Sequence, residues 1–274
     1  MTGSVDAQAY RRARLGVTYI VVSAICFGAM AIMARVAYAA GVDTVTLLAL
    51  RFVLAGAILV AIALARGEPW PTGRTLLALI LLGAAGYGGQ AFTFFTALTL
   101  APAGLVALLL YLYPALVTAL SALVLGEKLT ARKLAALAIA LFGTALTIGP
   151  ASAASPLGIM LGVGAAAIYA VYIIAGSRLS ARVAARPMAT VVIVSAGVVF
   201  ALAALARGPA WPQAPSGWLA VAGIAVFSTV VAIVLFFAGL ERIGPTRAAV
   251  LSTIEPVCTV LLAATFLGER ISSW

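Results

Sequence analysis

"YPALVTALSALVLGEKL" (residues 113–129) and "EPVCTVLLAATFLGERI" (residues 255–271) are two apolar stretches of one design, set 142 residues apart. Each has proline at its second position and closes on Leu-Gly followed by an acid and a base. Gly126, Glu127 and Lys128 form the first ending; Gly268, Glu269 and Arg270 form the second. Two further echoes share nearly the same period: "ARGEPWP" (65–71) with "ARGPAWP" (206–212), and "LG" at 15 with "LG" at 157. One small gap aligns all of them. The chain is therefore read as two related halves, 1–150 and 151–274, joined at the low-complexity "PASAAS" (150–155).

Composition says where those halves reside. The 274 residues are 65% hydrophobic and 9% charged, with a mean hydropathy of +1.20, which leaves too little polar surface to face water. The lipid bilayer is the expected surrounding. Apolar runs fall at 15–38, 44–65, 75–98, 102–125, 132–149, 157–176, 187–206, 217–239 and 245–267, each about as long as a helix needs to cross the ~30 Å hydrocarbon layer. Nine spanning helices are expected. The N-terminal "YRRARLGVTYIVVSAICFGAMAIM" begins like a signal peptide, but its apolar part is too long and it lacks a small-residue cleavage site, so it reads as a retained first span.

Seventeen Lys and Arg against seven Asp and Glu give a net charge of +10. The basic residues are scattered between apolar runs and form no aromatic-studded patch, which argues against a nucleic-acid partner. With the N-terminus in the cytoplasm, thirteen of them lie at the inner face: Arg11, Arg12, Arg14, Arg66, Arg74, Lys128, Arg132, Lys133, Arg178, Arg182, Arg186, Arg242 and Arg247. Arg207 and Arg270 lie outside. That bias fixes the expected orientation. There is no His, and Cys26 and Cys258 both sit inside apolar runs, so neither a metal site, a cofactor nor a disulfide framework is expected.

Five spans per half is an odd number, so the second half must start on the opposite side of the membrane from the first. Inverted repeats around a midplane site are the recurrent architecture of secondary transporters. The second half stops at "GERISSW", where its mate "GEKLTARK" leads into a fifth span, so a tenth helix beyond this sequence is expected.

Within this frame a few residues carry chemistry. Pro114 and Pro256 match in spans four and nine, and each is expected to kink its helix by freeing the carbonyl four residues back, Leu110 or Ser252. Irregular backbone at membrane depth is tolerated where it is buried in protein or lines a wet cavity. Glu255 lies ten residues from the inner end of its span, roughly 15 Å deep, at the midplane. An ionised carboxylate facing lipid there costs about 2.5–3.5 kcal/mol, so it must be paired, protonated or facing water. Desolvation favours its neutral form, which makes it a candidate proton carrier; a carboxyl that merely closes a hydrogen bond beside the kink is the plainer reading.

Arg35 and Arg51 read first as snorkelling residues, although Arg51 lies within about 5 Å of the depth of Glu255 and would pair with it if spans two and nine were neighbours. Span three carries Gly83, Gly86, Gly88 and Gly89 around Tyr87 and Gln90. Close helix packing accounts for the glycines. Gln90 both donates and accepts beside Phe94 and Phe95, a fit for a small zwitterion with an apolar side chain. Tyr87, Tyr111, Tyr113, Tyr169 and Ser252 complete the candidate substrate-binding set, with Tyr172 beside them. Trp70, Trp211 and Trp218 read as interfacial belt residues.

These motifs together resemble the drug/metabolite transporter superfamily, EamA type. The resemblance rests on the doubled five-span pattern, the proline followed twelve residues later by "LGE", "LRF" in span two and "YAVYIIAGSRL" in span six. It covers nearly the whole chain. One departure is "CFGAM" in span one, where many members carry Trp before the Gly. Membership implies an all-α polytopic membrane protein with an inverted five-plus-five helix repeat and a central cavity lined by spans one, three, four, six, eight and nine. It implies export of amino acids or related metabolites across a bacterial inner membrane, and the aromatic residues are nearer to the YddG-type aromatic amino acid exporters than to carriers of anionic sugars. A gradient-independent facilitator or multidrug exporter of small amphipathic molecules is the alternative. An intramembrane enzyme has the least support, because no nucleophile lies beside a base.

Overall fold

The structure, a computed structural model, describes residues 2–101, 103–147 and 155–266. The second Leu-Gly-acid ending at 267–269, Arg270 and most of the joint at 150–155 lie outside these residues. The described chain is helical throughout its elements. In order they are α1 (Thr2–Ala39), α2 (Thr44–Ala65), α3 (Gly73–Leu81), a first π-helical turn (Leu82–Tyr87), α4 (Gly88–Leu100), α5 (Ala103–Leu110), α6 (Tyr113–Leu125), α7 (Ala131–Thr147), α8 (Pro156–Ser180), α9 (Ala185–Arg207), α10 (Pro215–Ala225), a second π-helical turn (Val226–Val231), α11 (Ala232–Ile243), α12 (Pro245–Ser252) and α13 (Ile254–Phe266). Six of the rods they build are long and apolar enough to cross a membrane unaided. The fold is an all-helical polytopic membrane bundle.

Local chemistry sets the boundaries. Asp43 starts α2 by accepting from the Thr46 amide (2.8 Å) and hydroxyl (3.0 Å), and Ser155 starts α8 by accepting from the Gly158 amide (3.0 Å). Gly126 ends α6 in the left-handed conformation (φ 67°), which costs a glycine nothing. The turn delivers the Glu127 carboxylate to Lys133 (2.7 Å) and to the Thr246 hydroxyl (2.9 Å) at the start of α12. The first Leu-Gly-acid motif is thus a helix stop that ties two distant segments together.

α2 packs along α9, α8 along α4, α5 and α6, and α1 along α10, α11, α12 and α13. Small residues allow the closest approaches. A Cβ on Gly28 of α1 would lie 2.9 Å from the Glu255 carbonyl, and one on Gly239 of α11 would lie 3.0 Å from the Gly16 carbonyl. Lipid supplies no hydrophobic drive between helices, so such backbone proximity and hydrogen bonding hold the bundle. α1 shows both: Ser23 donates to the Ala232 carbonyl (2.7 Å), and Ser228 donates to the Cys26 carbonyl (2.6 Å).

Polar residues collect at the two ends. One end gathers the ion pairs Arg12–Glu241 (3.2 Å), Lys133–Glu127 (2.7 Å) and Arg186–Glu68, with Arg178 donating to the Val124 carbonyl (2.9 Å). The other end holds Asp43, Arg207 and the stacked rings of Trp211 and Trp218 (centroids 6.3 Å apart).

One expectation is refined and one, for Arg51, is corrected. Spans four and nine are interrupted beside their prolines: α5 stops at Leu110 and α6 restarts at Tyr113, while α12 stops at Ser252 and α13 restarts at Ile254, with Leu112 and Thr253 still in right-handed helical conformation. Pro114 and Pro256 therefore sit in the first turn of a new helix, where a missing amide hydrogen is lost from a position that has no intrahelical partner anyway. Arg51 does not snorkel. It is 3% exposed and hydrogen-bonded within the bundle.

The π-helical turn of span three seats Gly83 directly on α9, where an added Cβ would meet the Val192 carbonyl at 2.3 Å and its Cα at 2.8 Å. Gly89, one turn further, has nothing within 4 Å. Gly83→Ala is expected to destabilise the protein by about 1–3 kcal/mol through overpacking, whereas Gly89→Ala is expected to stabilise it by about 0.5–1 kcal/mol. Thermal unfolding of both variants in detergent, compared with the parent, checks the opposite signs.

Candidate functional site

Arg51 is carried by α2, which packs against α9 and meets the second π-helical turn. Its Nε donates to the Thr229 hydroxyl (2.8 Å), and its Nη2 donates to the Tyr87 hydroxyl (2.7 Å). Tyr87 ends the first π-helical turn and Thr229 lies inside the second, so a single guanidinium bridges the two irregular turns. Thr229 is free to accept because its own proton goes to the Ile224 carbonyl five residues back (2.9 Å). Phe52 places its ring centroid 4.7 Å from the guanidinium carbon, adding a cation–π contact.

Magnitudes decide why the charge is tolerated. A bare Arg at this depth costs about 2.5–3.5 kcal/mol on the lenient insertion scale; each hydrogen bond to a charged group returns about 1.5–3 kcal/mol. Two such bonds cover the cost.

From Tyr87 a chain of rings runs across the bundle. Tyr87 stacks on Tyr172 (5.5 Å), Tyr172 on Tyr169 (5.8 Å), Tyr169 meets Tyr113 edge-on (4.7 Å), and Tyr113 lies 6.2 Å from Tyr111. Tyr111 precedes α6 and Tyr113 opens it, so the helix break presents both rings. Tyr113 donates to the Ala249 carbonyl (3.4 Å) near the matching break and faces Ser252, whose own hydroxyl donates to the Ala248 carbonyl (2.9 Å).

Glu255 stands in the first turn of α13. Its side chain has Arg51, Tyr87, Tyr111, Tyr113 and Tyr169 among its electrostatic neighbours, and no ion pair within 4.0 Å joins it to Arg51. The side chain lies deep among these neighbours and still keeps accessible surface. Gln90, Tyr111, Tyr169 and Glu255 each end in polar atoms that have no hydrogen-bond partner among the described residues and are not sealed from solvent. Arg51 Nη1 shares that property. Tyr172 is the contrast: its hydroxyl is sealed and unpartnered.

The structure therefore brings Tyr87, Tyr111, Tyr113, Tyr169, Ser252 and Glu255 into one neighbourhood. Gln90 is 9% exposed on α4 near Tyr87, and no hydrogen bond or ring contact among the described residues ties it to the others. Sequence reasoning missed Thr229 and undervalued Arg51. The available signal was the pair Ser228–Thr229 inside an otherwise apolar span. Two surface hollows lie elsewhere, one of about 390 Å³ beside Asp43 and Arg207 and one of about 400 Å³ beside Arg66 and Arg186; neither is lined by Arg51 or Glu255. Among the described residues no group of three or more His, Cys, Asp or Glu could hold a metal ion.

A helical membrane bundle with a buried Arg, a carboxyl side chain and a chain of tyrosine rings in its interior is built like a solute carrier. The chain belongs to the EamA-like transporter family, whose sequence signature matches twice, at residues 14–149 and 156–274. It is 31% identical over 229 residues to the aromatic amino acid exporter YddG of Ancylobacter novellus, covering 79% of this chain and 77% of that protein. It is 29% identical to the uncharacterized transporter YcbK of Bacillus subtilis (95% of this chain, 88% of that one). It is 30% identical to the uncharacterized inner membrane transporter YedA of Escherichia coli K12 (81% and 73%). A solved crystal structure 28% identical in sequence superposes with a TM-score of 0.81, over 94% of this chain and 90% of that one.

Tyr87→Phe and Thr229→Val each remove one bond to the guanidinium while keeping side-chain volume. Each is expected to lower stability by about 1.5–3 kcal/mol. The double variant is expected to depart from additivity, because both partners serve one charge. A double-mutant cycle read by thermal unfolding checks it.

Proposed function

We propose that this transporter exports small amphipathic metabolites, with neutral and aromatic amino acids foremost, across a bacterial inner membrane, its N-terminus in the cytoplasm. The observation that carries this reading is the chain of tyrosine rings from Tyr87 through Tyr172 and Tyr169 to Tyr113 and Tyr111, which starts at the buried Arg51 guanidinium. Aromatic walls suit an apolar side chain, and separated opposite charges suit a molecule that carries both signs. The exporter named among the relatives points the same way.

Residues 1–150 and 151–274 act in this reading as two inverted halves. Its supports are the family signature that matches twice, helix breaks at Tyr111–Leu112 and Thr253, and π-helical turns at Leu82–Tyr87 and Val226–Val231. Rocking of the halves about a fixed central site gives alternating access, and the paired breaks are the points that bend. Glu255 carries the coupling proton. The basic residues of the Arg12, Lys133 and Arg186 end face the cytoplasm under the positive-inside rule.

Everted membrane vesicles test it. Uptake of labelled phenylalanine is expected to rise when a proton gradient is imposed, and Glu255→Gln is expected to abolish that response. Gradient-independent uptake in both proteins would favour the facilitator reading and remove the proton role.

A further inference from the structure

We infer that the hollow of about 400 Å³ between α2, α9 and α11 is the seat of an anionic phospholipid, with its phosphate against Arg66 and Arg186 and an acyl chain along the apolar wall. The inference goes beyond the exporter reading and takes from it only which end faces the cytoplasm.

Depth and chemistry agree along this hollow. α2 runs 22 residues from Thr44 to Ala65, roughly 33 Å at 1.5 Å per residue, so it crosses the hydrocarbon layer and releases Arg66 at headgroup level. Trp70, exposed four residues further on, marks the same level. Arg186 is the second residue of α9, and its ion pair with Glu68 holds that helix start beside the end of α2. Deeper in, the lining turns apolar, with Ile62 on α2, Val230 in the second π-helical turn, and Val234 and Leu235 on α11.

Charge decides the occupant. The lining holds two arginines and, among the described residues, no acid. The Arg66 guanidinium has no hydrogen-bond or ion-pair partner among the described residues. Arg186 gives Nη2 to Glu68, which is not part of the lining, so that pair braces the guanidinium and leaves its other donors for a phosphate. The hollow at the opposite end combines Arg207 with Asp43 and so carries both signs.

A water-soluble anion would meet the arginines and leave the apolar wall empty; a zwitterionic lipid would bring a second cation to a site that already has two. An anionic lipid suits both parts, and basic pockets between spans on the cytoplasmic side are where such headgroups bind. Arg66 belongs to the first half of the chain and Arg186 to the second, so one phosphate bridges the two.

Native mass spectrometry of the full chain in detergent, titrated with dioleoyl-phosphatidylglycerol or dioleoyl-phosphatidylcholine, tests the site. The parent protein is expected to bind phosphatidylglycerol about tenfold or more tightly than phosphatidylcholine. Arg66→Gln removes no internal bond and is expected to weaken phosphatidylglycerol about fivefold, whereas Arg207→Gln, the same loss of charge at the other end, is expected to leave it unchanged. Ile62→Phe narrows the apolar part and is expected to weaken phosphatidylglycerol with both arginines intact. Equal binding of the two lipids by the parent protein overturns the inference, as do equal losses in Arg66→Gln and Arg207→Gln. In thermal unfolding, phosphatidylglycerol is expected to raise the midpoint and inorganic phosphate is not. Stabilisation by phosphate that is lost in Arg66→Gln and kept in Ile62→Phe would make this a free-anion site and remove the lipid. Binding is read without transport, so failure of the lipid site leaves the exporter reading standing, and failure of export leaves the lipid site standing.

Discussion

A guanidinium buried at mid-depth must find its hydrogen-bond partners within the protein, because hydrocarbon offers none. Arg51 finds them on two different spans, Tyr87 of the first π-helical turn and Thr229 of the second. This requirement constrains the rest of the bundle. It sets the rotation of α2 about its axis, and it fixes where spans three and eight must approach. It also gives the π-helical turns a purpose: one extra residue per turn shifts the phase of the helix, so that Tyr87 and Thr229 are turned toward the same cation. The Ile224 carbonyl takes the Thr229 proton and leaves that hydroxyl as an acceptor. Helix irregularity and buried charge are thus one feature described twice.

The other departure from regular helix serves the opposite pole. Both breaks lie just before a proline, and both bring polar groups to the interior: Tyr111 and Tyr113 at one, Ser252 and Glu255 at the other. A straight helix would bury its backbone groups and present side chains only. A break exposes carbonyls as well, and the Ala249 carbonyl is claimed by Tyr113 across the gap. Cation and carboxylate are consequently mounted on separate, independently braced pieces of backbone.

Much of this could be read from the sequence, and the reasons differ by feature. The spans were legible because length and hydropathy translate directly into membrane crossing. Pro114 and Pro256 marked the interruptions, because a proline withholds the amide hydrogen that the preceding turn needs. Glu255 was legible because a carboxylate in an apolar run always demands an explanation. Arg51 was misread as snorkelling since depth along one helix says nothing about which neighbours face it. The π-helical turns left no period to detect, and Thr229 passed as an ordinary apolar-span threonine. Contacts between distant spans are the common factor in what the sequence withheld.

Why the two side chains remain apart follows from that division of mounting. Closing the pair would require Arg51 to leave Thr229 and Tyr87, forfeiting two charge-assisted bonds of about 1.5–3 kcal/mol each, or α13 to leave α1, breaking the Thr259 contact to Gly28 and the backbone approach that only a glycine permits. A new ion pair returns little of this, because desolvating both partners completely offsets much of their attraction. Separation is therefore the lower-energy arrangement of the two side chains.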